Sequence, residues 1–169
     1  MRAGFDDLIV TKWGARFQGR RYCCAIGRGG IGVKQGEGDG ITPLGTYQLG
    51  GVGYRSDRVS FDAPALDCWP IHLADIWSDD PKDPDYNQKV QARNYRFSHE
   101  RLRRADPLYD IFAIVDYNWP EAESGAGSAI FLHKWRKPRH PTEGCIAFDE
   151  IDLVEILSGW TDSSRLIIR

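Results

Sequence analysis

Apolar residues in this chain come in short bursts, and most bursts alternate or stop at glycine, proline or asparagine. That is a strand pattern rather than a helical one. Leu8-Ile9-Val10 and Tyr22-Cys23-Cys24-Ala25-Ile26 read as strands, joined by a basic turn around Arg16-Phe17-Gln18-Gly19. A glycine-rich hairpin follows from Gly27 to Gly40. Thr42-Pro43-Leu44-Gly45 then reads as a turn, and Thr46-Tyr47-Gln48-Leu49 resumes a strand. From Gly50 to Asn94 the pattern is mostly irregular, broken by Pro64, Pro70, Pro81 and Pro84. Ser98 to Arg104 fits a short helix capped by Ser98. Tyr109 to Val115 is the clearest strand, ending in a turn at Asp116-Tyr117-Asn118-Trp119-Pro120; a small-residue turn follows at Ser124-Gly125-Ala126-Gly127.

The stretch from Ser128 to Phe148 organises the rest. Ala129, Phe131 and His133 point one way and Ile130 and Leu132 the other, so a histidine closes an apolar run. A loop rich in proline and basic residues leads to Gly144-Cys145-Ile146-Ala147-Phe148, a second short apolar strand. Asp149 then caps a helix with Ile151, Val154 and Leu157 at helical spacing. Gly159 ends it, and Leu166-Ile167-Ile168 is a final strand. The sum is a mostly β chain with minor α: a mixed β-sandwich with two short helices, in one domain over residues 1–169.

Composition narrows the class. The chain has 169 residues, 41% hydrophobic and 27% charged, enough for a real core without staples. A net charge of −2 argues against a surface that tracks phosphates, so no nucleic-acid partner is expected. No apolar run approaches the roughly 20 residues that span a bilayer, so no membrane partner is expected either. The N-terminus carries two acids before a very short apolar patch and does not read as a signal peptide. A complete chain would then be cytoplasmic, and a trimmed one periplasmic or in the cell wall. Cys23, Cys24, Cys68 and Cys145 do not form a disulfide framework and fit a reduced compartment.

Cys145 and His133 are the candidate chemistry. Twelve residues separate them, short enough for a return loop to bring imidazole and thiol together. A free thiol ionises with a pKa of about 8.5, and a neighbouring histidine can take its proton. On that basis an activated Cys145 should alkylate faster than a free peptide thiol near pH 6–7. Gly144 lets a substrate approach the backbone, and the Gly144 and Cys145 N–H groups are candidate oxyanion donors. A cysteine in an apolar pentapeptide also fits a buried, inert residue. His140, in the loop between them, is a second candidate base, but Pro138, Arg139 and Pro141 around it suggest exposure. Lys134, Arg136, Lys137 and Arg139 would be solvated or would lower the thiol pKa and hold a substrate carboxylate.

Other motifs carry less. Gly27-Arg28-Gly29-Gly30-Ile31-Gly32 satisfies G-x-G-x-x-G, but residues 33–40 after it are too glycine-rich to open the helix a dinucleotide needs. Cys68-x-x-x-His72 is one loose pair where structural zinc wants four ligands. The acidic loop of residues 79–87 lacks EF-hand spacing. No metal or cofactor is expected.

At His133, Thr142 and Gly144-Cys145-Ile146 the chain resembles the L,D-transpeptidase catalytic domain family (YkuD-like). Its signature is a strand-borne His, a loop, then Ser/Thr-His-Gly-Cys, a small apolar residue and usually Arg. Gly38 to Tyr47, with Thr42-Pro43-Leu44-Gly45-Thr46-Tyr47, is similar to the family's G-x-T-P-x-G-x-F/Y block. Two positions depart: Glu143 stands where the family usually has His, and Ala147 where it usually has Arg. The resemblance implies acyl transfer on peptidoglycan stem peptides or muropeptides; a monomer is expected. Cys145 would be the nucleophile and His133 the base, with Gly144 and Thr142 in the catalytic segment. A backbone carbonyl at Thr142 or Glu143 would orient the histidine. Arg136 or Arg139 would replace the missing Arg, and Tyr86, Asn87, Tyr117 and Asn118 would form a substrate-side wall. The same acyl-enzyme resolved by water would make a cytoplasmic L,D-carboxypeptidase of recycled tetrapeptides. An inactive muropeptide-binding module is a further alternative, with Glu143 and Ala147 as marks of decay.

Overall fold

The structure, a computed structural model, describes residues 3–169. In order the elements are β1 (Leu8–Thr11), β2 (Gly14–Phe17), β3 (Arg20–Tyr22), β4 (Cys24–Ala25), β5 (Ile31–Gly32), β6 (Thr42–Pro43), β7 (Gly45–Tyr47) and β8 (Leu49–Tyr54). Then come β9 (Cys68–Pro70), β10 (Asp75–Ser78), β11 (Lys89–Gln91), β12 (His99–Arg101), β13 (Ile111–Val115), β14 (Phe131–Lys134), β15 (Ile146–Phe148), α1 (Glu150–Ser158) and β16 (Leu166–Ile168).

A six-stranded sheet, ordered β4-β15-β14-β13-β8-β9, is buried on both faces. The two-residue period of its strands divides their side chains. Ile111, Ala113, Val115, Ile130, Leu132, Ile146 and Phe148 pack with Leu8, Val10, Phe17, Leu166 and Ile168 of the five-stranded sheet β3-β2-β1-β16-β7, and with Leu153, Ile156 and Leu157 of α1. Phe112, Ile114, Ala129 and Phe131 pack the other way, against Trp77 of β10, Leu102 and Tyr109. The architecture is the expected mostly β sandwich with a minor helix.

Several local expectations change. The segment 98–104 is not a helix: His99–Arg101 is β12, pairing antiparallel with β10 in the sheet β11-β10-β12. A short helix there would have been marginal alone, and the pairing with β10 supplies backbone partners that no local helix could match. The irregular region therefore contains β9, β10 and β11, and α1 is the one α-helix among the described residues. The helix does begin at Asp149, whose carboxylate accepts the Ile151 N–H, but Ile151 itself is exposed. Arg16 and Phe17 belong to β2, and the turn to β3 is Gln18-Gly19 alone, both at positive φ (46° and 80°), as a tight two-residue hairpin requires. Thr42–Pro43 is a strand, and β5 and β6 pair in parallel rather than as a hairpin. A Cβ on Gly27 would lie 2.0 Å from Gly40 O, so only glycine lets these backbones meet.

Candidate active site

β14 and β15 run parallel, with Leu132 opposite Ile146 and His133 opposite Ala147. The period of two therefore puts Phe131, His133, Cys145 and Ala147 on one face. The connection is the loop of residues 135–145, and the register brings the thiol back to the strand that carries the imidazole. The Phe131 N–H lies 3.4 Å from Cys145 Sγ, and the thiol donates to Ala129 O at 3.1 Å. His133 and Cys145 both line a cavity of about 620 Å³.

The nucleophile segment is held from beneath. Gly144 has φ 139°, and a Cβ there would come within 2.9 Å of Ile41 O. The Thr142 hydroxyl donates to Cys145 O at 2.6 Å and accepts the Gly144 N–H at 3.1 Å. The Gly144 N–H is thus engaged, which corrects its expected place as an oxyanion donor; Cys145 N–H is the remaining candidate in that segment. Thr42 ties the same turn to the glycine-rich block, its hydroxyl donating to Gly144 O at 2.8 Å.

His133 Nδ1 bonds Lys134 O at 2.7 Å, so Nδ1 carries the proton and Nε2 is the basic nitrogen. The orienting carbonyl is therefore that of Lys134, not of Thr142 or Glu143. The Thr142 carbonyl accepts from Arg28 N instead, and the Glu143 carboxylate pairs with the Arg28 guanidinium at 2.8 Å. That guanidinium lowers the Glu143 carboxyl pKa.

Burial dominates the electrostatics of the pair. It pushes the Cys145 thiol up to about 12, with Glu100 adding to the rise against a smaller opposing effect of the Phe131 N–H. It also pushes His133 down to about 4, with the Lys134 carbonyl opposing and Arg104 adding to the fall. The resting pair is neutral thiol and neutral imidazole, so the fast-reacting thiolate expected from the sequence is not the ground state.

The cavity wall opposite includes residues the sequence did not single out. Tyr109 is buried, its ring edge-on to His133 with centroids 5.6 Å apart, and its hydroxyl donates to Glu100 Oε2. The Arg104 guanidinium lies 5.5 Å from the Tyr109 centroid and is held by Asp106. Lys34 also lines the cavity, paired with Asp39 at 2.6 Å. Glu100 and Arg104 were obscured by the helical reading of their segment.

The expected binding residues separate. Arg136 lines the cavity, but Arg139 turns away at φ 57°, its Nη2 3.2 Å from Cys23 Sγ. Of the histidines, His140 lines the cavity with His133, although it is exposed. Asn87 is buried: its Oδ1 accepts from Trp77 Nε1 and Ala129 N, both at 2.9 Å, and its Nδ2 donates to Asn118 O at 2.6 Å. Asn118 Nδ2 in turn donates to Gly127 O at 2.9 Å, and Tyr117 OH to Ala126 O at 2.7 Å. Tyr86 OH donates to Glu37 and accepts the Gly127 N–H. These four residues do not line the cavity; they hold the segment that leads into Ser128 and Ala129. Asp83 is likewise buried and accepts from Ser78 and Tyr95, so the acidic loop is not simply solvated. Among the described residues no cluster of histidine, cysteine or carboxylates has the form of a metal site, and no helix is long and apolar enough to cross a membrane.

A family model described as the L,D-transpeptidase catalytic domain (YkuD) matches residues 8–168. No curated protein and no solved structure gives a match.

Proposed function

Because the chain belongs to the L,D-transpeptidase catalytic domain family, whose members act on peptidoglycan, we propose that it is a cysteine acyltransferase working on tetrapeptide stems through an acyl-enzyme on Cys145. The observation that carries this reading is the parallel register of β14 and β15. It sets Cys145 and His133 on one face and in one cavity, with Nδ1 fixed on Lys134 O and Nε2 left to act as base.

Cys145 attacks the carbonyl that joins meso-diaminopimelate to the terminal D-alanine. The thiol leaves Ala129 O and gives its proton to His133 Nε2 as the carbon–sulfur bond forms. With the thiol near 12 and the imidazole near 4, no ion pair exists before attack. Proton transfer therefore accompanies attack rather than preceding it. The Cys145 N–H receives the developing oxyanion, while Thr142 fixes the direction of that segment by holding the atoms on either side. His133 returns the proton to the leaving amine, and D-alanine departs. Arg136 makes no hydrogen bond or ion pair among the described residues and takes the substrate carboxylate in place of the arginine that Ala147 lacks.

An amine or water then resolves the thioester, giving exchange or cross-linking in one case and carboxypeptidase action in the other. The test is a disaccharide-tetrapeptide muropeptide incubated with and without excess D-methionine, beside Cys145→Ala, with products read by mass spectrometry. Tripeptide alone means water resolves the thioester; D-methionine-bearing tetrapeptide means an amine does. Equal products from wild type and Cys145→Ala would refute the assignment of the nucleophile.

A further inference from the structure

Glu100 is a half-buried carboxylate of the cavity that the acylation half of this chemistry does not use. It lies on β12, which pairs with β10, with Trp77 opposite it, and so comes from a different sheet than the Cys145 strand. It lines the cavity with Cys145 and His133, and its hydrogen-bond partner is the Tyr109 hydroxyl. Among the described residues no lysine or arginine forms an ion pair with it; the nearby Arg104 is taken by Asp106. Glu37 and Asp79 line the same cavity. Their charges add to the burial that raises the Glu100 pKa, with the Tyr109 hydroxyl and Arg104 opposing. A half-buried carboxylate whose held partner is a neutral phenol is stabilised by a cation entering from the cavity.

Resting on the acyl-enzyme reading, we infer that Glu100, held by Tyr109, binds the ammonium group of the amine that resolves the thioester and thereby decides between amine and water. The step balances. The acceptor arrives as R–NH3+ and gives one proton to the Glu100 carboxylate. The free amine attacks the thioester carbonyl carbon; the C–N bond forms and the C–S bond breaks. A second amine proton passes through His133 Nε2 to Cys145 Sγ, restoring the thiol, and Glu100 releases its proton to solvent. Water carries no positive charge and gains nothing from a carboxylate there, so Glu100 bears on the amine route selectively. For a zwitterionic acceptor such as a D-amino acid, Arg136 in the same cavity takes the carboxylate.

The experiment measures a ratio internal to each protein. Wild type, Glu100→Gln and Tyr109→Phe are incubated with the tetrapeptide muropeptide over a range of D-methionine concentrations. The slope of exchanged tetrapeptide over tripeptide against D-methionine is read by mass spectrometry, and the Cys145 adduct by intact mass. A charge-assisted hydrogen bond is worth roughly tenfold or more in an equilibrium. The slope should therefore fall at least about tenfold in Glu100→Gln, and in the same direction by less in Tyr109→Phe. Slopes within twofold of wild type in Glu100→Gln would overturn the subsite. So would loss of both products and of the adduct in both variants, because Glu100 would then serve acylation. A wild type that forms no Cys145 adduct would sink the acyl-enzyme reading itself, an outcome distinct from an adduct with an unchanged slope.

Discussion

Cys145 should alkylate more slowly than an ordinary peptide thiol. Burial, reinforced by Glu100, raises its pKa to about 12, roughly three units above a free thiol. Three units reduce the thiolate at pH 7 about a thousandfold. A thiolate of higher pKa is intrinsically more nucleophilic, and a Brønsted sensitivity of about 0.4–0.5 returns roughly 20-fold of that loss. The net slowing is about 50-fold, before any hindrance from the cavity walls. The assay is iodoacetamide modification followed at the Cys145 peptide by mass spectrometry, which separates it from Cys23, Cys24 and Cys68. The rate should climb about tenfold per pH unit from 7 to 10 without a plateau. A rate at pH 7 equal to or above the reference peptide, or a plateau beginning near pH 6–7, would refute the reasoning. Either result would mean that a thiolate–imidazolium pair already exists, and that burial does not govern the site.

Thr142→Val keeps the shape but strands the Gly144 N–H and the Cys145 carbonyl; at about 1–3 kcal/mol per stranded group, urea unfolding should show a loss of about 2–6 kcal/mol. A loss near zero would mean that water replaces the hydroxyl. His133 has a folded pKa of about 4 against 6.5 for the free side chain, so between those values the unfolded chain binds a proton that the native state refuses. Its contribution, about 3 kcal/mol, is complete above pH 6.5 and is lost as pH falls towards 4; His133→Gln should flatten that part of the stability–pH curve, and an unchanged slope would count against it. Asn87→Ala removes three hydrogen bonds from a buried side chain and should destabilise by about 3 kcal/mol or more, whereas a normal thermal midpoint with a raised KM would return Asn87 to a binding role. Glu143→Gln should leave the Cys145 alkylation profile unmoved, because Arg28 holds that carboxylate; a shifted profile would put Glu143 beside the imidazole.

What the sequence revealed was periodic or local. The alternation through residues 129–133 told which side chains share a face, and the structure divides Ile130 and Leu132 from Phe131 along that line. Asp149 and Gly159 bounded the helix because caps act on adjacent backbone. Non-local pairing was not legible. His99–Arg101 looks helical by its neighbours and becomes a strand because β10, some twenty residues earlier, offers a partner; that pairing alone brings Glu100 to the cavity. Side-chain direction in loops was equally hidden. Arg136 and Arg139 sit in one basic run, yet a left-handed residue sends the second to Cys23. Asn87 and Asn118 have the chemistry of binding residues, but both direct it at neighbouring backbone groups.

In the five-stranded sheet, β16 lies between β1 and β7, parallel to the first and antiparallel to the second. Two segments made well before it are therefore joined only by one near the end of the catalytic region. Until Leu166–Ile168 leaves the ribosome, β1 and β7 each present an open edge, and the apolar face that backs the Cys145 strand lacks its centre. Folding of this sheet should be slow and all-or-none, since its closure waits on contacts spanning most of the chain. A nascent chain arrested before β16 should stay protease-sensitive through β1, although every residue of the candidate site has already been made.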